Sequence, residues 1–180
     1  MKRLFYPAAV AAVLLLSAFT TVSTIVPANS WKLGEDYSIA FESKNPAGIF
    51  KTMTGDINFD PSNLAGSSFD MKVDVASINT GNGTKNKHAV SPKWFDAEKY
   101  PHITFKSTQI KKTGNGYEVT GDLEMHGVKK SITFPFTFDN NTFNANFKVL
   151  RTDYGIGDTK GMSAKASVEL AVNLSVPVMQ

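Results

Sequence analysis

From residue 69 to 75 the chain reads Phe-Asp-Met-Lys-Val-Asp-Val, an unbroken alternation of apolar and charged side chains. A period of two puts successive side chains on opposite faces of an extended strand, so such a run has one oily face and one wet face. The pattern returns at residues 117–125, 132–138 and 143–149. Near the end, residues 164–176 set Val168, Leu170, Val172 and Leu174 on one face. Weaker runs lie at 37–41, 50–59 and 103–109. Together they predict roughly eight strands, several longer than the usual five or six residues. Asp60-Pro61-Ser62-Asn63, Thr113-Gly114-Asn115-Gly116 and Asp139-Asn140-Asn141 carry turn chemistry between them. Connections this short require antiparallel neighbours.

No long amphipathic helix is available to cover the apolar faces, so the sheet must fold on itself as a sandwich or a closed barrel. The meander-type turns favour an all-β, up-and-down, eight-stranded barrel, because a sandwich needs some long crossovers. One connection differs. Between Thr80 and Pro101 the alternation stops, after the third strand, and residues 91–99 suit a short helix with Ser91 as cap and Pro92 at its first position. Long loops in compact domains tend to be lids or binding segments.

Phenylalanine dominates the inward phase: Phe41, Phe59, Phe69, Phe105, Phe134, Phe136, Phe138, Phe143 and Phe147. An eight-stranded interior either just fills with side chains or holds one small ligand. Small inward residues such as Gly121 and Ala145 would leave room between rings, yet the same pattern also describes a solid aromatic core. Pro135 falls on the outward phase and removes a ladder donor, which predicts a bulge or a local loss of pairing.

The N-terminus has the order of a secretory signal peptide: basic Lys2 and Arg3, an apolar run at 8–19, then small residues ending at Ala28. The run is shorter than the about 20 residues needed to span a bilayer, which argues against a membrane anchor. The reading is a leader over residues 1–28 and one domain over 29–180, delivered to the periplasm or secreted. With no cysteine, neither a disulfide nor a thiolate metal site can form. The formal charge of +3 falls to +1 without Lys2 and Arg3, and no clustered basic face is visible, which excludes nucleic acid as a partner class.

Seven motifs in order then become recognisable: Trp31-Lys32-Leu33; Gly55-Asp56-Ile57-Asn58-Phe59-Asp60; Val75-Ala76-Ser77-Ile78-Asn79-Thr80-Gly81-Asn82; Trp94-Phe95-Asp96-Ala97-Glu98-Lys99-Tyr100-Pro101; Ile103-Thr104-Phe105-Lys106-Ser107; the stretch from Val119 through Gly121, His126 and Gly127 to Val128; and Arg151-Thr152-Asp153-Tyr154-Gly155-Ile156-Gly157. This order resembles the YceI-like family and covers essentially the whole domain. The resemblance implies a lipocalin-like antiparallel barrel, periplasmic or secreted, that encloses a polyisoprenoid or similar long-chain amphiphile without an established catalytic activity. The chain departs from the family at Lys85-Asn86-Lys87-His88-Ala89, where the family commonly reads Arg-Asp-x-His-Leu, so a bidentate guanidinium becomes a point-charge ammonium and a carboxylate is lost. The family's early histidine is also missing, with Tyr37 in that region.

The expected tail site comprises Phe41, Phe59, Phe69, Met71, Val73, Phe105, Val119, Leu123, Phe134, Phe136, Phe138, Phe143 and Phe147. Lys85, Asn86, His88, Trp94, Phe95 and Arg151 are expected at the mouth, facing a phosphate or carboxylate head. Arg151 continues the inward phase of its strand and must sit at a rim, pair with a partner such as Asp153, or face a ligand. Three histidines are too scattered for a metal site, with His102 and His126 on outward phases. No cofactor is implied. Two rival functions stay open: a barrel enzyme acting on a lipid or quinone through His88, Asp96 or Tyr100, and a filled barrel working through a protein partner. A peripheral encounter with a membrane is compatible with a lipid cargo, and the oligomeric state, a dimer included, is left open.

Overall fold

The computed structural model describes residues 29–180, apart from the side chains of Met162 and Ser163, so the expected leader at 1–28 lies outside the described residues. Eleven strand segments form one antiparallel sheet: β1 (Ser30–Leu33), β2 (Ser38–Glu42), β3 (Gly48–Phe50), β4 (Met53–Asn58), β5 (Ser68–Asp74), β6 (Ile78–Asn79), β7 (His102–Thr113), β8 (Gly116–Met125), β9 (Val128–Asp139), β10 (Thr142–Leu150) and β11 (Glu169–Met179). Six of them are halves of three bent strands. β1 and β2 both run along β11, β3 and β4 pair with β2 and β1, and β5 and β6 pair with β4 and β3. The result is an eight-stranded up-and-down barrel. It closes where Lys32 and Leu33 meet Met179 and Val178.

The first two strands break at the same level, around residues 34–37 and 51–52. A broken ladder leaves backbone groups that must find other partners. Tyr37 and Ser77 supply them. The Tyr37 hydroxyl accepts from the Met53 amide at 2.9 Å and donates to the Lys51 carbonyl at 3.2 Å, while Ser77 Oγ accepts from the Lys51 and Thr52 amides at 3.1 Å each. Tyr37 is therefore a strut between two kinked strands.

Four expectations about local structure need correction. The helix of the long loop is α1, Gly83–Ala89, capped by Asn82, whose side chain accepts from the Lys85 amide. Residues 91–99 instead form successive turns, with the Trp94 and Asp96 amides both donating to the Ser91 carbonyl. A helix would splay the adjacent Trp94 and Phe95 about 100° apart, and Asp96 adopts a left-handed φ of 46° that a helix excludes. Gly121 leaves no room: a Cβ there would lie 2.6 Å from the Phe105 ring and from the Lys106 carbonyl oxygen, so the missing side chain is the seat of Phe105. His126 is not a surface side chain, since Nδ1 lies 3.2 Å from the Tyr154 carbonyl and the ring packs edge-on to Tyr100 at 5.0 Å. Val168 precedes β11 and is exposed, whereas Leu170, Val172 and Leu174 turn inward.

Pro135 behaves as its chemistry requires. It stays in register with Glu118 of β8, but the ladder between β9 and β10 runs only from Asp139 and Thr142 to Phe136 and Ala145 and stops one residue short of it.

Candidate functional site

The barrel interior divides into a plugged floor and a hollow upper half. At the floor the chain leaves β4 through Phe59, which is 1 % exposed and touches the rings of Phe69, Tyr117, Phe136, Phe138 and Phe143 at centroid distances of 5.0–6.1 Å. Most of these contacts are edge-to-face, the arrangement the ring quadrupole favours. Trp31 packs on Phe138 and donates its indole N–H to the Phe59 carbonyl at 3.0 Å, which fixes the loop that carries the plug. Phe59 and Phe138 therefore belong to the plug and do not line the cavity, contrary to the expectation for a tail site.

Above the plug lies a cavity of about 400 Å³, within the range of small-molecule sites. Phe69, Phe136 and Phe143 form its floor, and Phe41, Met71, Val73, Phe105, Val119, Leu123, Phe134 and Phe147 stand in its wall. Further wall residues, not among the expected tail residues, come from strands whose phase was readable in the sequence: Ile39, Ile132, Val149, Leu170, Val172, Leu174 and Val176. Phe50, Met53, Ile57 and Ile78 also line it, and here the strand kinks obscured the alternation.

The long loop caps the cavity. Phe95 sits edge-on to Phe50 at 5.9 Å, and Lys85 and His88 of α1 reach the lining from above. Lys85 Nζ donates to Asn45 Oδ1 at 3.3 Å, tying the helix to the loop between β2 and β3. Asn86 does not line the cavity. Its Oδ1 accepts from the Thr80 amide at 2.8 Å and the Thr80 hydroxyl at 2.7 Å, so it anchors α1 instead. Asn45, Thr80 and Lys165 complete the mouth, and no sequence signal marked them, because barrel closure alone brings these loops together.

Arg151 is buried, 3 % exposed, at the top of β10. Its guanidinium donates to the carbonyls of Ser167, Ile156, Asp158 and Ala166 at 2.7–3.3 Å and lies over the Trp94 ring at 5.2 Å. Burial pulls its pKa below the ordinary value and the Asp158 carboxylate raises it again. The side chain remains a cation, as arginine does in proteins. It organises the loop between β10 and β11 and holds Trp94 at the cavity. Asp153, the partner considered from sequence, pairs with Lys130 at 3.2 Å.

The charge pattern of the lining is one-sided. Lys85, Lys165 and Arg151 are its ionised side chains, with His88 beside them and no aspartate or glutamate among them. A basic rim over an apolar interior attracts the anionic end of an amphiphile.

A sequence profile described as the YceI-like domain matches residues 27–177. The chain belongs to the YceI-like family. A UPF0312 protein of Vibrio parahaemolyticus is 38 % identical over 133 residues, 73 % of this chain and 65 % of that protein, so the chain spans about two-thirds of that relative's length. Among solved structures, Burkholderia cenocepacia BcnA is similar with a TM-score of 0.71 and 30 % identity, over 84 % of this chain and 96 % of that one. A polyisoprenoid-binding domain from Saccharophagus degradans superposes with a TM-score of 0.55 at 17 % identity, over 82 % of this chain and 91 % of that one. At that identity the likeness speaks to the fold, and the YceI-like barrel of this chain shares it. Among the described residues no helix is long and apolar enough to cross a membrane, and no cluster of potential ligands is arranged for a metal ion.

Proposed function

We propose that this YceI-like protein binds one long-chain amphiphile, an isoprenoid or similar lipid, and carries it unchanged in the periplasm or outside the cell. The observation that carries the reading is the combination of a hollow, apolar upper barrel and a rim whose ionised groups are all basic. Each buried CH₂ contributes about 0.8 kcal/mol, so a long tail binds without elaborate polar contacts. The head group, a phosphate or carboxylate, then lies near Lys85, His88 and Lys165. The polyisoprenoid-binding function of the Saccharophagus degradans domain supports the choice of tail chemistry.

Catalysis at the mouth is less well supported. Of the three residues considered for acid–base work, His88 lines the cavity, whereas Asp96 and Tyr100 do not. Tyr100 packs against His126 and under the Lys99 ammonium. A barrel filled with side chains and working only through its surface does not fit the open cavity.

Native mass spectrometry of the full chain, purified from an envelope fraction without detergent exchange, tests the proposal. The expected result is a bound mass that organic extraction releases intact. Protein that is always empty, and that takes up neither long-chain carboxylates nor prenyl phosphates, overturns it.

A further inference from the structure

The barrel wall is not equally closed all round. β8 and β9 pair from Tyr117 and Phe136 to Met125 and Val128, and β10 and β11 pair along the whole of β10. Between β9 and β10 pairing stops at Phe136 and Ala145, and the facing segments 128–135 and 146–150 carry no ladder. Pro135 stands at the fork, where the absent N–H prevents the next rung. On the inner side the gap is bridged by side chains, the Phe134 and Phe147 rings stacked at 4.2 Å with an interplanar angle of 16°.

A second cavity of about 170 Å³ occupies this gap from outside, bounded by Lys130, Ser131, Lys148, Leu150 and Asp153 among others. Ile132 and Val149 line both this cavity and the large interior one. Continuing the register of β9 and β10 would set these two opposite each other, so two aliphatic side chains form the partition. Leu150 is 42 % exposed beside the opening, and the Lys130–Asp153 ion pair links β9 to the turn that follows β10.

We propose that the β9–β10 seam is a side entrance, through which the tail of a single-chain amphiphile enters the barrel by displacing Ile132 and Val149. The inference rests on the proposed binding of such a lipid. Backbone hydrogen bonds make most of a barrel wall rigid, whereas side-chain contacts exchange rotamers on fast timescales. At the upper rim α1, Trp94 and Phe95 stand over part of the mouth, which a tail entering from above has to pass. A tail that passes the polar outer lip of the seam meets the aliphatic Ile132 and Val149 and breaks no ladder hydrogen bond.

The test uses the full chain, which has no native cysteine. Ser131→Cys/Leu150→Cys places thiols on the outer lips of the seam, where a reducible bismaleimide staples them. Uptake of NBD-labelled stearate from phosphatidylcholine vesicles is followed by stopped flow, and its equilibrium affinity is measured separately. The expected result is uptake slowed at least about tenfold by the staple and restored by reductant, with affinity unchanged. A staple from the mouth loop to α1, Asn45→Cys/Thr84→Cys, which keeps Lys85 and His88 in place, is expected to leave the rate within about twofold. An unaffected rate with the seam stapled, or an equal slowing by the mouth staple, overturns the side entrance while leaving lipid binding intact. Failure of the unstapled protein to bind the probe at equilibrium removes the binding reading and the entrance with it. Pro135→Thr checks the cause without a staple, because the restored donor should protect amides at 146–150 from hydrogen exchange and slow uptake; unchanged protection and rate count against the seam.

Discussion

The division of the interior into a solid floor and a hollow top makes two phenylalanines that look alike in sequence behave differently. Phe59 is enclosed by five rings and almost wholly removed from water. Truncating it leaves a hole that its neighbours cannot fill, and Phe→Ala at such a site costs about 3–5 kcal/mol. Phe147 stacks on Phe134 on one side but borders the large cavity on the other. Its removal enlarges space that is already empty, so little new void penalty arises and the loss is the contact area alone, about 1–2 kcal/mol. With a urea dependence of about 2 kcal/mol per molar, Phe59→Ala should lower the unfolding midpoint by about 2 M, against less than about 1 M for Phe147→Ala. Lipid binding should respond in the opposite order, with Phe147→Ala weakening it and Phe59→Ala, at temperatures where it is folded, leaving it close to that of the original. Equilibrium denaturation followed by far-ultraviolet circular dichroism, paired with probe titration, gives both quantities. Equal stability losses, or a larger loss for Phe147→Ala, would refute the partition into plug and cavity.

Arg151→Met should cost about 2–4 kcal/mol, because buried carbonyls lose their guanidinium donors, and Arg151→Lys should not rescue it since one ammonium cannot span the same carbonyls; urea unfolding and limited proteolysis within 155–168 measure this, and a neutral Arg151→Met contradicts it. Lys85→Glu/Lys165→Glu reverses the sign of the rim, and should weaken a long-chain carboxylate by about tenfold or more at low salt while sparing the corresponding alcohol, a contrast isothermal titration can read. Tyr154 is buried and its pKa is raised above 10.0, by desolvation first and by Asp153 second. The folded state therefore holds the phenol proton more tightly than the unfolded chain does, so this contribution is intact below pH 10 and is lost as pH rises through the higher folded value. Tyr154→Phe should flatten the fall in stability above pH 10; an unchanged alkaline slope would show that the phenol is not the group responsible.

The alternation of residues was sufficient for the long strands and their inward phase, because a period of two follows from backbone geometry and needs no partner. The short turns gave their antiparallel order, and the kinks of the first strands hid the rest. The alternation also located the ladder defect at Pro135, whose missing donor is a local chemical fact. It could not distinguish wall from plug. Phe59 and Phe138 have the same phase as Phe41 and Phe105, and only the height at which each strand crosses the barrel decides which rings meet at the floor. The loop helix was misplaced for a related reason. The Ser-Pro start at residue 91 is a sound local signal, but Trp94 and Phe95 must reach Arg151 and Phe50 together, and those contacts override it. Arg151 shows the same limit, since its carbonyl partners at Ile156, Asp158, Ala166 and Ser167 lie in a loop whose path no periodicity specifies. Local sequence thus determined which way each side chain points, as strand geometry demands. Tertiary closure alone decided which of them converge on empty space, because a cavity is defined by the distances between strands far apart in the chain.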